Sequence, residues 1–430
     1  MKLLKQFDRD YWLYWAASAV SMAASNILQY ILSLYVLEIT GSAALFASML
    51  SIIVLPRLFL TPVAGVMADR IRKIKLMSWI VLGEAVVLGI YALLGSRFSM
   101  GIVRIYALVV ILEAGEVFYD GASAAILPEL VPPDKIKDAI SISKVDDGVV
   151  VVASPMVAAL IYSTISLSWA FAIVALLNFL AFVMQHCIRT KYEAEDKPGD
   201  KKLSVWQDFK QGLCYIRRDS FLRGFIMVLP LVNTFFSATF SVSVMVLLRE
   251  HFEISAYAYG LYCSITSSMS MIVPPFAVPI VKKYPVQRIF AVCTSLIAVE
   301  IGAIALMAYL GANGHIPVMA CVAAITVLDC MTIAEAMPMQ MSSAAIVQTG
   351  VKEELLGRVT SVIKMVSIAS VAVGDMIFGV LNDVTVVWFP ILVGAAGIGF
   401  ASIAYRKIVR TNQANSEKDS RWDKERQAKL

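Results

Sequence analysis

Three carboxylates hold most of the chemistry that this chain could do. Glu113, Glu116 and Asp120 stand at positions i, i+3 and i+7 of one apolar run. At ~100° per residue they point within roughly 60° of one another, so they make one acidic stripe on one helix. Charges inside a bilayer are expensive and ordinarily face a cavity or a partner. Such a stripe could take up a proton or attract a cationic ligand. It could equally be structural: Arg57, in an earlier apolar run, could neutralise Glu113 or Glu116, and Asp120 could pair with Arg72 or Lys73. Asp120 reads as structural, whereas Glu113 and Glu116 stay divided between the two roles.

Other polar side chains interrupt apolar runs. Asp329 and Glu335 are six residues apart and face different directions, so at most one can look into the same cavity at equal depth. Asp329, near the middle of its run, is the better candidate. Met331, Met337, Met339 and Met341 suggest an adaptable apolar wall, although methionine also serves as plain lipid-facing filler. Ser25, Asn26, Gln29 and Tyr30 form a polar patch in the first run, and Asn233 with Thr234 follows Pro230 in the seventh. Neutral polar groups in a membrane glue helices together or hold ligand, and both roles are open to Asn26, Gln29, Tyr30 and Asn233 from their chemistry. Glu84, Glu300, Lys364 and Asp375 read as structural.

The elements that must position these groups are set by composition. Of 430 residues, 59% are hydrophobic and 16% charged, against roughly 45–50% and 25% in soluble domains. A spanning helix needs ~20 mainly apolar residues, and twelve such runs can be placed: 11–36, 43–67, 76–95, 101–127, 139–163, 168–188, 221–248, 256–280, 288–311, 316–346, 357–381 and 385–405. The fold class is therefore an all-α integral membrane protein of two six-helix, pseudo-symmetric bundles. Residues 1–188 make the first bundle and 221–406 the second. Residues 189–220 form a cytoplasmic linker containing an amphipathic helix marked by Trp206, Phe209, Leu213 and Ile216. Residues 407–430 read as a disordered tail. Lys and Arg concentrate in alternate gaps, which predicts a multi-pass protein of the cell membrane with both termini cytoplasmic.

The same features exclude other classes. The basic residues lie between apolar runs rather than on one face, so no nucleic-acid partner is expected. Six scattered cysteines (187, 214, 263, 293, 321, 330) lack CxxC spacing and read as small core residues. His186, His251 and His315 are too far apart in sequence for a zinc motif. There is no Walker loop, HExxH or GxSxG, so neither an enzyme nor a cofactor is expected. The N-terminus is too charged, and its apolar run too long, for a cleaved signal peptide.

One stretch carries a family resemblance. Gly65-Val66-Met67-Ala68-Asp69-Arg70-Ile71-Arg72-Lys73 resembles the signature loop of the major facilitator superfamily, G-x-x-x-D-R-x-G-R-[KR], at Gly65, Asp69, Arg70 and Lys73, with Arg72 where that pattern has Gly. Thr40–Ala43, Leu127–Pro132, Trp206–Gly212 and Leu356–Val359 look like the macrolide-efflux-type drug exporters of that superfamily, a pattern shared in part with siderophore and lysophospholipid transporters. The resemblance implies alternating access and proton-driven efflux of a small amphipathic substrate, by a monomer surrounded by membrane lipid, with the first and seventh helices lining the cavity and so a ligand-holding role for Asn26, Gln29, Tyr30 and Asn233. It also implies a conformational latch in which Asp69, with Gly65, Arg70 and Lys73, docks at the N-terminus of the eleventh helix near Gly357 and Arg358. Two departures stand out: Ile111 and Leu112 occupy the place of the Arg that family members carry before the fourth-helix Gly (here Gly115), and the fifth-helix antiporter run is reduced to Gly148 through Pro155. The sequence thus predicts a proton-coupled exporter. The alternatives are a lysophospholipid or siderophore carrier of the same fold and, in another class, a membrane sensor or scaffold that moves nothing.

Overall fold

The computed structural model describes residues 7–427 except 96, 98, 99, 133, 134, 190–212, 218 and 219. The side chains of 62, 65, 66, 68–70, 125, 137, 141, 220, 353, 354 and 413–427 also fall outside the described set. All regular structure among the described residues is helical, as it must be for single apolar segments that satisfy their own backbone groups in lipid. The helices are α1 (Arg9–Thr40), α2 (Ala43–Ile52), α3 (Val54–Arg70), α4 (Lys73–Gly95), α5 (Ile102–Leu130), α6 (Ile136–Thr164) and α7 (Leu167–His186), then α8 (Ser220–Ala238), α9 (Ala256–Ile272), α10 (Pro274–Lys283), α11 (Val286–Ala312), α12 (Val318–Gly350), α13 (Glu353–Val384) and α14 (Trp388–Gln427).

Ten stretches among the described residues are long and apolar enough to cross a membrane, and α9 with α10, bent by 45°, makes an eleventh. The twelfth expected span is α5, 29 residues long, whose apolar run is broken up by Arg104, Glu113, Glu116, Asp120 and Glu129. The carboxylates that make this helix chemically interesting are what hide it from an apolarity criterion.

Local breaks follow from sequence. Pro56 cannot donate to the ladder, and the second span turns at Ile53 into α2 and α3, with Arg57 right after the proline. Pro274 and Pro275 do the same between α9 and α10. Gly41 closes α1 with φ +57°, its N–H donating to the Leu37 carbonyl, and Ser42 caps α2 by accepting the Leu45 N–H at 3.2 Å. The seventh span continues beyond α8 through two π-helical turns, Thr239–Ser243 and Leu247–His251.

The chain packs as two units, Met1–Lys201 with Glu253–Met271, and Lys202–Phe252 with Ile272–Leu430. The boundary differs from the expected division at 188 and 221 because α9 belongs to the first unit. Gly260 is the reason: a Cβ there would lie 2.8 Å from the Pro155 carbonyl oxygen and 2.5 Å from Ala159 Cβ, so only glycine lets α9 come this close to α6. The tail also departs from expectation. Backbone helix continues to Gln427 rather than ending near 406, which fits a stretch with no glycine or proline after Gly399. In the linker, Trp206 and Phe209 lie outside the described residues, while 213–217 are helical with Ile216 buried. Cys187 and Cys214 are exposed rather than core.

The second unit is held at its centre by α8 against α13 and α14. Thr234 Oγ1 donates to the Ser370 carbonyl at 2.9 Å, Ser241 Oγ to Asp375 Oδ1 at 2.9 Å and Asn382 Nδ2 to Ser243 Oγ at 2.8 Å. A Cβ on Gly374 would meet Thr234 Cγ2 at 2.6 Å and the Thr234 carbonyl oxygen at 3.0 Å. Gly374→Ala is therefore expected to destabilise this unit by about 1–3 kcal/mol, read as a lower melting temperature of the purified protein in detergent.

Candidate functional site

The first unit gathers its charged groups around α5. Arg57 of α3 forms an ion pair through Nε with Glu113 Oε1. The pairing is local in origin, because the Pro56 break sets Arg57 at the head of α3 and α3 packs along α5. The arginine side chain is 43% exposed and that of Glu113 11%, so the acid is the buried partner. One turn on, Ser25 Oγ of α1 donates to Glu116 Oε1; among the described residues this is its only hydrogen bond. Asp120 is exposed.

Glu84 of α4, which reads as structural in the sequence, joins this group. It is 7% exposed, and its Oε1 lies 2.9 Å from where a Cβ on Gly115 would be, between the two acids of α5. Asn178 of α7 donates to its Oε2 at 3.4 Å. No basic side chain among the described residues comes within ion-pair distance of it. Sequence spacing gave no signal for this, since the three elements are brought together across 94 residues. The missed cue was the glycine: Gly115 leaves room on α5 for a carboxyl from α4.

Towards the basic end of the unit the polar contacts continue. Tyr119 OH receives a hydrogen bond from Gln185 Nε2 at 3.1 Å and lies 3.3 Å from Ser18 Oγ, and Tyr14 OH lies 3.1 Å from Ser123 Oγ. Ser25 is thus the first-helix residue that engages the stripe. Asn26 and Tyr30 are half-buried and Gln29 is exposed; none makes a side-chain hydrogen bond to a described residue.

In the second unit, Asp329 is 4% exposed, inside the helix packing. Glu335 Oε2 is buried with no hydrogen-bond partner among the described residues. Thr332, between them in sequence, donates to Glu300 Oε2 at 2.9 Å. Asn233 is half-buried without a hydrogen bond to a described residue, while its neighbour Thr234 binds α13. Of the methionines, Met339 is core and Met331 exposed.

The latch residues are distributed differently from expectation. Gly65, Asp69 and Arg70 lie in the last turns of α3, not in a loop, and their side chains are outside the described residues. The connection to α4 shrinks to Ile71 and Arg72. Lys73 is engaged within its own unit, its Nζ 2.5 Å from Glu129 Oε1 at the far end of α5. The eleventh span begins at Glu353, one turn before Gly357. The free N–H groups of a helix belong to its first four residues, so they lie upstream of Gly357 and Arg358, beside Glu353 and Glu354 in sequence.

Comparison with known proteins places this geometry. Macrolide efflux protein A of Streptococcus pyogenes is 26% identical over 232 residues, 53% of this chain, and the match spans a little over half, 56%, of that relative. Among solved structures, a mutant of the nucleoside transporter NupG is similar with a TM-score of 0.73 and 12% identity, covering 93% of this chain and 100% of that one. A bacterial homologue of the iron transporter ferroportin is similar with a TM-score of 0.69 and 14% identity, covering 93% and 98%. At these identities the structures speak for the fold alone. The sequence profile described as Major Facilitator Superfamily matches residues 14–374, and on that ground the chain belongs to the Major Facilitator Superfamily, as a multi-pass membrane transporter of a small molecule and not an enzyme.

Proposed function

We propose that this transporter exports amphipathic, drug-like compounds of the macrolide kind across the cell membrane by alternating access, driven by inward proton flow. The reading takes both termini as cytoplasmic and the monomer as the working unit. The observation that carries it is the division of labour on α5. Glu113 is committed to Arg57, whereas the hydrogen bond that Glu116 makes among the described residues comes from the hydroxyl of Ser25. A carboxyl bound by one neutral donor can exchange that bond for a proton or for a cationic group of a substrate, which an ion-paired one cannot do without leaving an uncompensated charge. The partial likeness to a macrolide efflux protein supports the direction of transport and the substrate class.

The latch is proposed in reduced form. Asp69 and Arg70 remain its candidates with Gly65, Gly357 and Arg358, while Lys73 fixes α4 to α5 through Glu129.

The test uses proteoliposomes loaded with radiolabelled erythromycin and an imposed pH gradient. Efflux should accelerate severalfold when protons can run against the drug. Erythromycin efflux that is the same with the gradient present and collapsed would sink the coupling, and absence of flux with any tested macrolide would sink the substrate class.

A further inference from the structure

Among the described residues of the first unit, a buried seam along α7 holds two polar atoms without a hydrogen-bond partner. Asn178, 2% exposed, donates to Glu84, yet its Oδ1 has no partner among the described residues. Seven residues on, along the same face of α7, Gln185 is 1% exposed; its Nε2 reaches Tyr119 OH while its Oε1 has no partner. Two orphaned amide oxygens on one face of α7 therefore line a path from Glu84 towards the basic end of the unit. Buried polar groups of this kind hold ordered water in folded proteins, because leaving them unbonded costs as much as a lost hydrogen bond.

Glu84 sits at the head of that path without a cation. The titratable groups facing it are Glu113 and Glu116 from α5. At that level α7 offers the neutral Asn178, and the arginine of α3 is taken by Glu113. An ionised carboxylate buried this way is poorly tolerated, and one long hydrogen bond from an amide does not offset it. A purely structural carboxyl would be expected to find a cation or a full set of donors, as Glu129 finds Lys73.

We infer that Glu84 is a proton-carrying residue of this transporter, filled and emptied through the seam that Asn178 and Gln185 make along α7, and that the acids of α5 read its state through Gly115. Uptake converts the Glu84 carboxylate to the carboxylic acid at the expense of one hydronium ion at the basic end of the seam, and release reverses this with no other bond changed. Loss of the charge relieves the repulsion felt by Glu113 and Glu116, which is how occupancy on α4 would reach Arg57 and Ser25. The inference rests on the proton-coupled reading, and its test is chosen to stand apart from that reading.

Infrared difference spectra of the full chain in lipid, stepped in pH, report protonated carboxyls by their C=O stretch. The wild type should show a pH-sensitive band that Glu84→Gln removes and Glu84→Asp keeps at a shifted frequency. Spectra that are the same in wild type and both variants would overturn the inference whether or not transport is proton-coupled. Should Glu84→Gln not fold, an unshifted band in Glu84→Asp overturns it equally. In proteoliposomes, Glu84→Gln should retain erythromycin exchange at equal concentrations while gradient-driven efflux falls at least about tenfold. Loss of exchange as well would assign Glu84 a packing role and overturn the inference. Wild-type efflux that ignores the gradient would instead defeat the coupled reading, leaving the infrared result to decide Glu84.

Discussion

Arg57→Met should abolish transport and lower the melting temperature, because it strands Glu113. Removing one partner of a buried ion pair typically costs about 3–5 kcal/mol, whereas replacing both partners by apolar groups is often neutral. Here the arginine is partly exposed, so the penalty belongs at the low end of that range. The discriminating experiment is the double variant. Arg57→Met with Glu113→Leu should melt close to wild type and still fail to transport, separating the pair's structural share from its functional one. A single Arg57→Met protein that melts with the wild type and transports normally would show that the contact carries neither.

The second large effect is expected at Gly260. Valine there drives a Cβ to 2.8 Å from a backbone carbonyl, that of Pro155, and to 2.5 Å from Ala159. Neither atom belongs to a flexible side chain, so α9 must move off α6 as a body, and overpacking of this kind costs roughly 1–3 kcal/mol or more. We expect most of the folded yield to be lost on size-exclusion chromatography in detergent. Gly83→Ala, at a helix-interior site with open space around the new Cβ, is the control and should be neutral or slightly stabilising. Equal yields from the two variants would refute the close approach.

What the sequence made visible and what it hid differ for physical reasons. Apolar runs announce spans because lipid imposes a length and a composition, and all twelve expected segments coincide with helices. The stripe of Glu113 and Glu116 was legible for the same kind of reason, since helical periodicity alone fixes which residues share a face. The partners were not. Arg57 could be named only as one option for either acid, and the choice of Glu113 depends on how α3 turns after Pro56. The surroundings of Glu84 were hidden because they are made by Gly115 and Asn178, residues whose importance is an absence of side chain and a neutral amide. The contact of Lys73 with Glu129 was hidden as well, since it depends on α5 being long enough to bring that acid to it. The π turns after α8 leave no periodic trace either, since each adds a residue to a turn and shifts the face that follows.

The last helix has a practical consequence. At ~1.5 Å per residue, the 40 residues of α14 extend about 60 Å, twice the ~30 Å thickness of a hydrocarbon core. Roughly half of that rod must stand in water as a mast. A fiducial protein joined without a break to its far end would be carried clear of the detergent belt, giving image alignment a landmark outside the membrane.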